Sequence, residues 1–207
     1  MKVQISFDLI DLDKSLEIAK KVEPYIDTFE ISSLLLFKYG LSAIEKFKET
    51  FPKKTILADA KIVDCGKQTV TMLVQAGAQW ITVMAGTNTS VIHSACTTAE
   101  NLGAKIMLDL LDAASPGQSA LEAKSMGVSA LLVHRSYEDE DPLKFIDAWD
   151  MVRGNSNLPI YVSGKIERSI VDKINSIKPD GIVISKAITH ADDPAKEAQF
   201  FKEAFSS

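Results

Sequence analysis

The chain alternates. Eight short, β-rich apolar runs each lead into a longer stretch whose apolar residues recur at helical spacing, and few folds accept that order. The runs are VQISFDL (3–9), DTFEIS (27–32), TILADA (55–60), WITVMA (80–85), KIMLDL (105–110), ALLVHR (130–135), PIYVSG (159–164) and GIVISK (181–186). Most are nearly continuous apolar segments, as expected of parallel strands covered on both faces. Helical stretches are expected at 12–22, 40–51, 66–77, 89–103, 119–127, 142–152, 167–177 and 194–205. Gly77, Gly103 and Gly127 fall just past helix ends, where a left-handed residue is wanted. Gly40 and Pro142 mark helix starts. Eight strand–helix units, spaced about 22–29 residues apart, predict one (β/α)8 barrel domain over residues 1–207. A doubly wound open sheet fits less well, because no Gly-x-Gly-x-x-Gly turn follows the first strand.

Bulk properties narrow the function. The net charge of −5, with no basic cluster, argues against nucleic acid as a partner. Cys65 and Cys96 are too few for a disulfide framework and lack metal-ligand spacing, so a cytoplasmic protein with free thiols is expected. Aspartates within the first dozen residues leave no room for a signal-peptide core, and no apolar run reaches membrane-spanning length.

In such a barrel the chemistry sits at the C-terminal ends of the strands. Read in order, those ends carry Asp8, Glu30, the pair Asp59 and Lys61 with Asp64 just beyond, then Asp109, His134, Ser163-Gly164-Lys165 and Ser185-Lys186. Strand four offers only Met84, Ala85 and Gly86. A lone acid there is ordinarily a helix cap, and a lone histidine ordinarily has a structural partner; His93 and His190 are read that way. Five acids, one lysine and one histidine converging on one face are not explained by independent accidents. Residues i and i+2 of a strand share a side, so Asp59 and Lys61 are expected side by side. A lysine flanked by carboxylates stays protonated and serves as a proton donor or fixed cation, not as a Schiff-base nucleophile. Glu30 and Asp59 suit a hard divalent cation, Mg²⁺ by default, with water and substrate completing the shell. Zinc lacks its histidine or cysteine cluster. The ends of strands seven and eight are where such barrels grip phosphate, so Ser163, Gly164, Lys165, Ser185 and Lys186 are the expected phosphate-binding set. A small phosphorylated, oxygen-rich substrate follows.

The motif LADAKIVDCGK (57–67), with FDL at 7–9, FEI at 29–31, VH at 133–134 and AITHADDP at 187–194, resembles the orotidine monophosphate decarboxylase suprafamily across essentially the whole chain. The branch it resembles is that of 3-hexulose-6-phosphate synthase and 3-keto-L-gulonate-6-phosphate decarboxylase. Orotidine monophosphate decarboxylase itself usually continues its motif with Ile-Pro-Asn-Thr, which Cys65-Gly66-Lys67 does not match. The resemblance implies that Glu30 and Asp59 ligate Mg²⁺ and that Lys61 stabilises an enediolate. It implies that Asp8 positions the substrate, that His134 moves protons, and that Asp64 reaches into the partner's site of a homodimer. Synthase chemistry joins ribulose 5-phosphate to formaldehyde; the alternative is loss of CO₂ from a keto-gulonate phosphate. Asp109 resembles the synthases, where decarboxylases tend to carry Glu. His134-Arg135-Ser136 resembles the decarboxylases, but Tyr137 stands where their arginine would align. Departures from the family pattern cluster at Ser32-Ser33 (usually Gly-Thr), Ser163, Gly164-Lys165 (usually Gly-Gly), Ser185-Lys186 and the acidic EDEDP segment at 138–142. A non-catalytic sugar-phosphate-binding barrel is the reading from another class.

Overall fold

A computed structural model describes residues 1–136, 138 and 145–206. Its eight strands are β1 (Lys2–Ser6), β2 (Thr28–Ile31), β3 (Thr55–Ile62), β4 (Trp80–Met84), β5 (Lys105–Asp109), β6 (Ala130–His134), β7 (Ile160–Ser163) and β8 (Gly181–Ile184). All pair in parallel in the order β1 to β8, and β8 closes on β1. The (β/α)8 barrel expected from the alternation is therefore the fold, and the open sheet is excluded.

Helices α1 (Leu12–Val22), α2 (Ser33–Tyr39), α3 (Leu41–Thr50), α4 (Gly66–Gln75) and α5 (Thr89–Asn101) follow the first four strands. Then come α6 (Pro116–Ala123), α7 (Phe145–Asn155), α8 (Val171–Ile177), α9 (Lys186–Thr189) and α10 (Pro194–Ala204). Two of these were not anticipated. The first, α2, starts at an N-cap, Ser32, whose hydroxyl accepts from the Leu35 amide, and ends at Gly40, whose φ of +60° breaks it from α3. Gly40 thus closes one helix as well as opening the next. The second, α9, begins where β8 was expected to continue, so Ser185 and Lys186 lie beyond the strand rather than in it. Residues 142–144 at the expected start of α7, including Pro142, lie outside the described residues, as do Tyr137 and 139–141 of the acidic segment.

Strand parity divides the core. Outward residues such as Val3, Ile5, Phe29 and Ile31 pack under the helices, where Phe7, Phe29, Phe47 and Phe51 form a ring cluster with centroids 5.0–6.2 Å apart. Inward residues Leu57, Met107, Ala130, Leu132 and Val183, with Trp80 and Tyr161, fill the barrel itself. Toward the C-terminal ends the inward positions become polar: Gln4, Ser6, Glu30, Asp59, Thr82 and Asp109 are all buried. Burying that many polar groups is unfavourable unless they are paired, so their partners define the site.

Candidate active site

Lys61 sits at the centre. Its Nζ lies 3.1 Å from Asp59 Oδ1 and 3.0 Å from Asp109 Oδ2. The same Asp109 oxygen lies 2.8 Å from His134 Nδ1, so one carboxylate joins the lysine to the histidine. The other Asp109 oxygen accepts the Leu111 amide at 3.0 Å. Burial opposes the charge on Lys61, but Asp59 and Asp109 outweigh it and hold its pKa above the ordinary lysine value. Lys61 is therefore a permanent cation, as its setting in the motif predicts. Burial likewise works against the Asp109 carboxylate, yet the His134 hydrogen bond, the His134 charge and Lys61 keep its pKa below the usual range.

Asp59 and Lys61 do meet, but not by simple strand alternation. Pairing of β3 with β4 runs Ala58↔Ile81 and then Ile62↔Val83, so the segment between is bulged. Lys61 adopts φ +45°, a left-handed conformation costing a side-chain-bearing residue about 1–2 kcal/mol. Strand position alone would not have aimed its ammonium.

Glu30 is buried beside this group, and Gln4 Nε2 donates to its Oε2. Burial, then the charge on Asp59, pushes the Glu30 pKa up to about 8, against a smaller opposing effect of Lys61. Asp59 also accepts from Ser33, whose Oγ lies 2.7 Å from Oδ2, and from Thr82, whose Oγ1 lies 2.9 Å from Oδ1. A buried carboxyl whose ionisation is opposed by burial and by the neighbouring Asp59 is part of a donor set that a hard divalent cation relieves, so Glu30 and Asp59 fit Mg²⁺. Among the described residues no group of three or more His, Cys, Asp or Glu is placed to hold a metal.

These groups line a cavity of about 660 Å³ at the C-terminal mouth of the barrel. The lining includes Asp8, Glu30, Asp59, Lys61 and His134 together with Arg135, Ser163, Gly164, Lys165, Ser185 and Lys186. Asp8 accepts from Ser6 Oγ at 3.0 Å. Gly164 is required where it stands: its φ is +126°, and a Cβ there would lie 2.5 Å from that of Arg135. Lys165 takes a left-handed φ of +44°. The position where the resemblance leads one to expect a second glycine thus adopts a glycine-like backbone while adding a cation. Ser185 Oγ is buried with no hydrogen-bond partner among the described residues.

Two expected residues do not line the cavity. Asp109 is fully buried behind Lys61 and His134 and would act through them. Asp64 is exposed, and its Oδ1 accepts the Cys65 amide at 2.7 Å. Gln4, Ser6 and Thr82 belong to the site but were not singled out from the sequence; Ser33 and Arg135 were noted there, but not as site residues. Gln4, Ser6 and Thr82 carried a signal: each is polar, inside an apolar run, on the inward parity. Ser33 answers the departure from Gly-Thr. Its hydroxyl can make the Asp59 contact a threonine hydroxyl would make, while Ser32 caps α2 at an ordinary φ of −62° that needs no glycine.

A family model described as orotidine 5'-phosphate decarboxylase / HUMPS family matches residues 1–201. The chain belongs to this family. Among its relatives, the 3-hexulose-6-phosphate synthase of Bacillus subtilis (strain 168) is 30% identical over 205 residues, covering 98% of each chain. The solved 3-hexulose-6-phosphate synthase of Salmonella typhimurium superposes with a TM-score of 0.91 at 28% identity, covering 99% of this chain and 98% of that one. A 3-keto-L-gulonate-6-phosphate decarboxylase from Vibrio cholerae shares the fold, with a TM-score of 0.87 at 22% identity, over 99% and 96% of the two chains. The family resemblance and the carbon–carbon lyase class expected from the sequence both stand. Among the described residues no helix is long and apolar enough to cross a membrane.

Proposed function

We propose that the protein is a 3-hexulose-6-phosphate synthase-type aldolase, joining ribulose 5-phosphate to formaldehyde through an enediolate. The observation that carries this reading is the Lys61 ammonium held between Asp59 and Asp109, with His134 on the same Asp109 oxygen. His134 takes the proton from the ketose carbon that becomes nucleophilic. The resulting charge spreads onto the neighbouring oxygens, where Lys61 is already in place and needs no reorganisation. That carbon attacks the formaldehyde carbon, a C–C bond forms, and the new alkoxide takes a proton back from His134. Asp8 orients the substrate hydroxyls. A Mg²⁺ ion held by Glu30 and Asp59 would add Lewis-acid stabilisation of the developing charge.

The phosphate is assigned to the end bordered by Ser163, Gly164, Lys165, Ser185 and Lys186. Support comes from the two lysines there and from the buried Ser185 hydroxyl, which lacks a partner among the described residues. A phosphorylated ketose also agrees with the sugar-phosphate names of the relatives.

A decarboxylase acting on a keto-gulonate phosphate is the second reading, favoured by His134-Arg135-Ser136 with Arg135 bordering the cavity. Proton exchange separates the readings. Ribulose 5-phosphate in deuterated buffer with Mg²⁺ is expected to exchange a carbon-bound proton by NMR, and to consume formaldehyde when it is added. Exchange without condensation moves the assignment to the decarboxylase. No exchange on any pentulose phosphate leaves the non-catalytic binding barrel.

The same reading includes a homodimer with shared sites. Asp64 stands outside its own cavity, and Ile10, Leu34, Phe37 and Val63 expose large apolar side chains after β1, β2 and β3, with Phe37 87% exposed. Apolar exposure of that kind marks an association surface. Mixing Asp64→Ala subunits with Lys61→Ala subunits is expected to restore up to about a quarter of the activity, the share of intact sites in a random mixture. No recovery in a verified heterodimer counts against sharing.

A further inference from the structure

The Thr82 hydroxyl stands between the two halves of the central motif. It donates to Asp59 Oδ1 at 2.9 Å and accepts the Lys61 backbone N–H at 2.9 Å. Thr82 is 1% exposed, in the middle of β4, on the inward parity it shares with Trp80. Between the pairs Ala58↔Ile81 and Ile62↔Val83, β3 advances four residues while β4 advances two. The surplus length holds Asp59, Ala60 and Lys61, and Thr82 is the residue of β4 that faces it. A bulge leaves backbone groups without their ladder partners. Here a side chain supplies the missing acceptor, and the same oxygen sends its proton to the carboxylate that flanks the lysine.

We propose that Thr82 is a positioning residue: its hydroxyl pins the β3 bulge that turns Lys61 into the cavity and sets the Asp59 carboxylate against it. This rests on the reading of Lys61 as the cation of the reacting site. The consequence for that site is geometric. Lys61 holds a left-handed backbone because its N–H has a fixed acceptor. Asp59 keeps one oxygen toward Thr82 and Lys61 and the other toward Ser33. Without the hydroxyl the bulge loses its anchor at both atoms, and a part-buried N–H loses its partner. The ammonium then leaves its place beside Asp59, which for a group that acts by position costs far more in rate than in binding.

The test compares Thr82→Val, which keeps the shape and loses the hydroxyl, with Thr82→Ser, which keeps the hydroxyl and loses the methyl. Expected is a fall in kcat of about 100-fold for T82V with KM changed less than about threefold, and T82S within about threefold of the parent in both. Crystal structures of the parent and T82V supply a readout independent of any substrate. In the parent, Lys61 should keep its positive φ and its contact with Asp59; in T82V both should be lost. A T82V structure with Lys61 unmoved overturns the proposal. So does a T82S enzyme as impaired as T82V, because packing of the methyl would then be what matters. Should T82V fail to fold, T82S decides: loss of its Lys61–Asp59 contact overturns the proposal, and retention supports it. If the parent turns over none of the sugar phosphates, the aldolase reading fails, while the crystallographic comparison still decides the role of Thr82.

Discussion

Lys61→Ala is expected to lower turnover by about 1,000-fold or more, measured as formaldehyde consumption with ribulose 5-phosphate at saturation. The size follows from what the ammonium does. In the proposed mechanism it is a fixed charge aimed at the oxygens where negative charge develops, and it stands 3.1 Å from Asp59 and 3.0 Å from Asp109. Removing it also leaves two carboxylates facing each other without the cation between them. Asp109 keeps its contacts with His134 and the Leu111 amide, so the fold survives with a stability loss of about 1–3 kcal/mol. Circular dichroism melting shows whether the variant is folded at the assay temperature. A folded Lys61→Ala enzyme that retained a tenth of the parental rate would remove the basis of the enediolate reading.

Asp109→Asn is the second large effect, and it reads out twice. The carboxylate contacts two groups that line the cavity while itself being fully buried outside that lining. Its amide replacement keeps the shape but no longer compensates Lys61 or fixes the His134 ring, so kcat is expected to fall about 100-fold or more with KM changed little. The stability readout has a definite sign. The folded-state pKa of Asp109 lies below its unfolded value. Its contribution is therefore fully present above the unfolded carboxylate pKa and is lost as pH falls through the depressed folded value. The parent should lose melting temperature through that acid window, and Asp109→Asn should lose less, because the amide does not titrate. Equal acid sensitivity in both proteins would mean that Asp109 is not the depressed group.

How much of this was legible beforehand differs between fold and site. The barrel followed from the order of the elements, because eight apolar runs separated by amphipathic helices leave little choice once parallel strands must be covered on both faces. Local errors fell where capping chemistry outweighed the apolar pattern. The Leu34–Leu36 run has no clean period, and only Ser32 and Gly40 reveal α2. Strand eight was drawn too long because Ser185 and Lys186 follow directly on the apolar run Gly181–Ile184 without belonging to its ladder.

The sequence by itself determined which charges arrive at the barrel mouth. Strand position assigns each of Asp8, Glu30, Asp59, Lys61, Asp109 and His134 to the same end of the barrel, since every βα loop of this fold opens on one face. Only the tertiary structure decided how they are joined. That one oxygen of Asp109 serves both Lys61 and His134 depends on residues 48 and 25 positions apart. That Lys61 faces Asp59 depends on a bulge whose backbone partner, Thr82, lies on the next strand. Alternation along one strand is a local rule, set by the pleat. A left-handed residue inside a strand is a local cost, and it persists because hydrogen bonds and charges from neighbouring strands outweigh it.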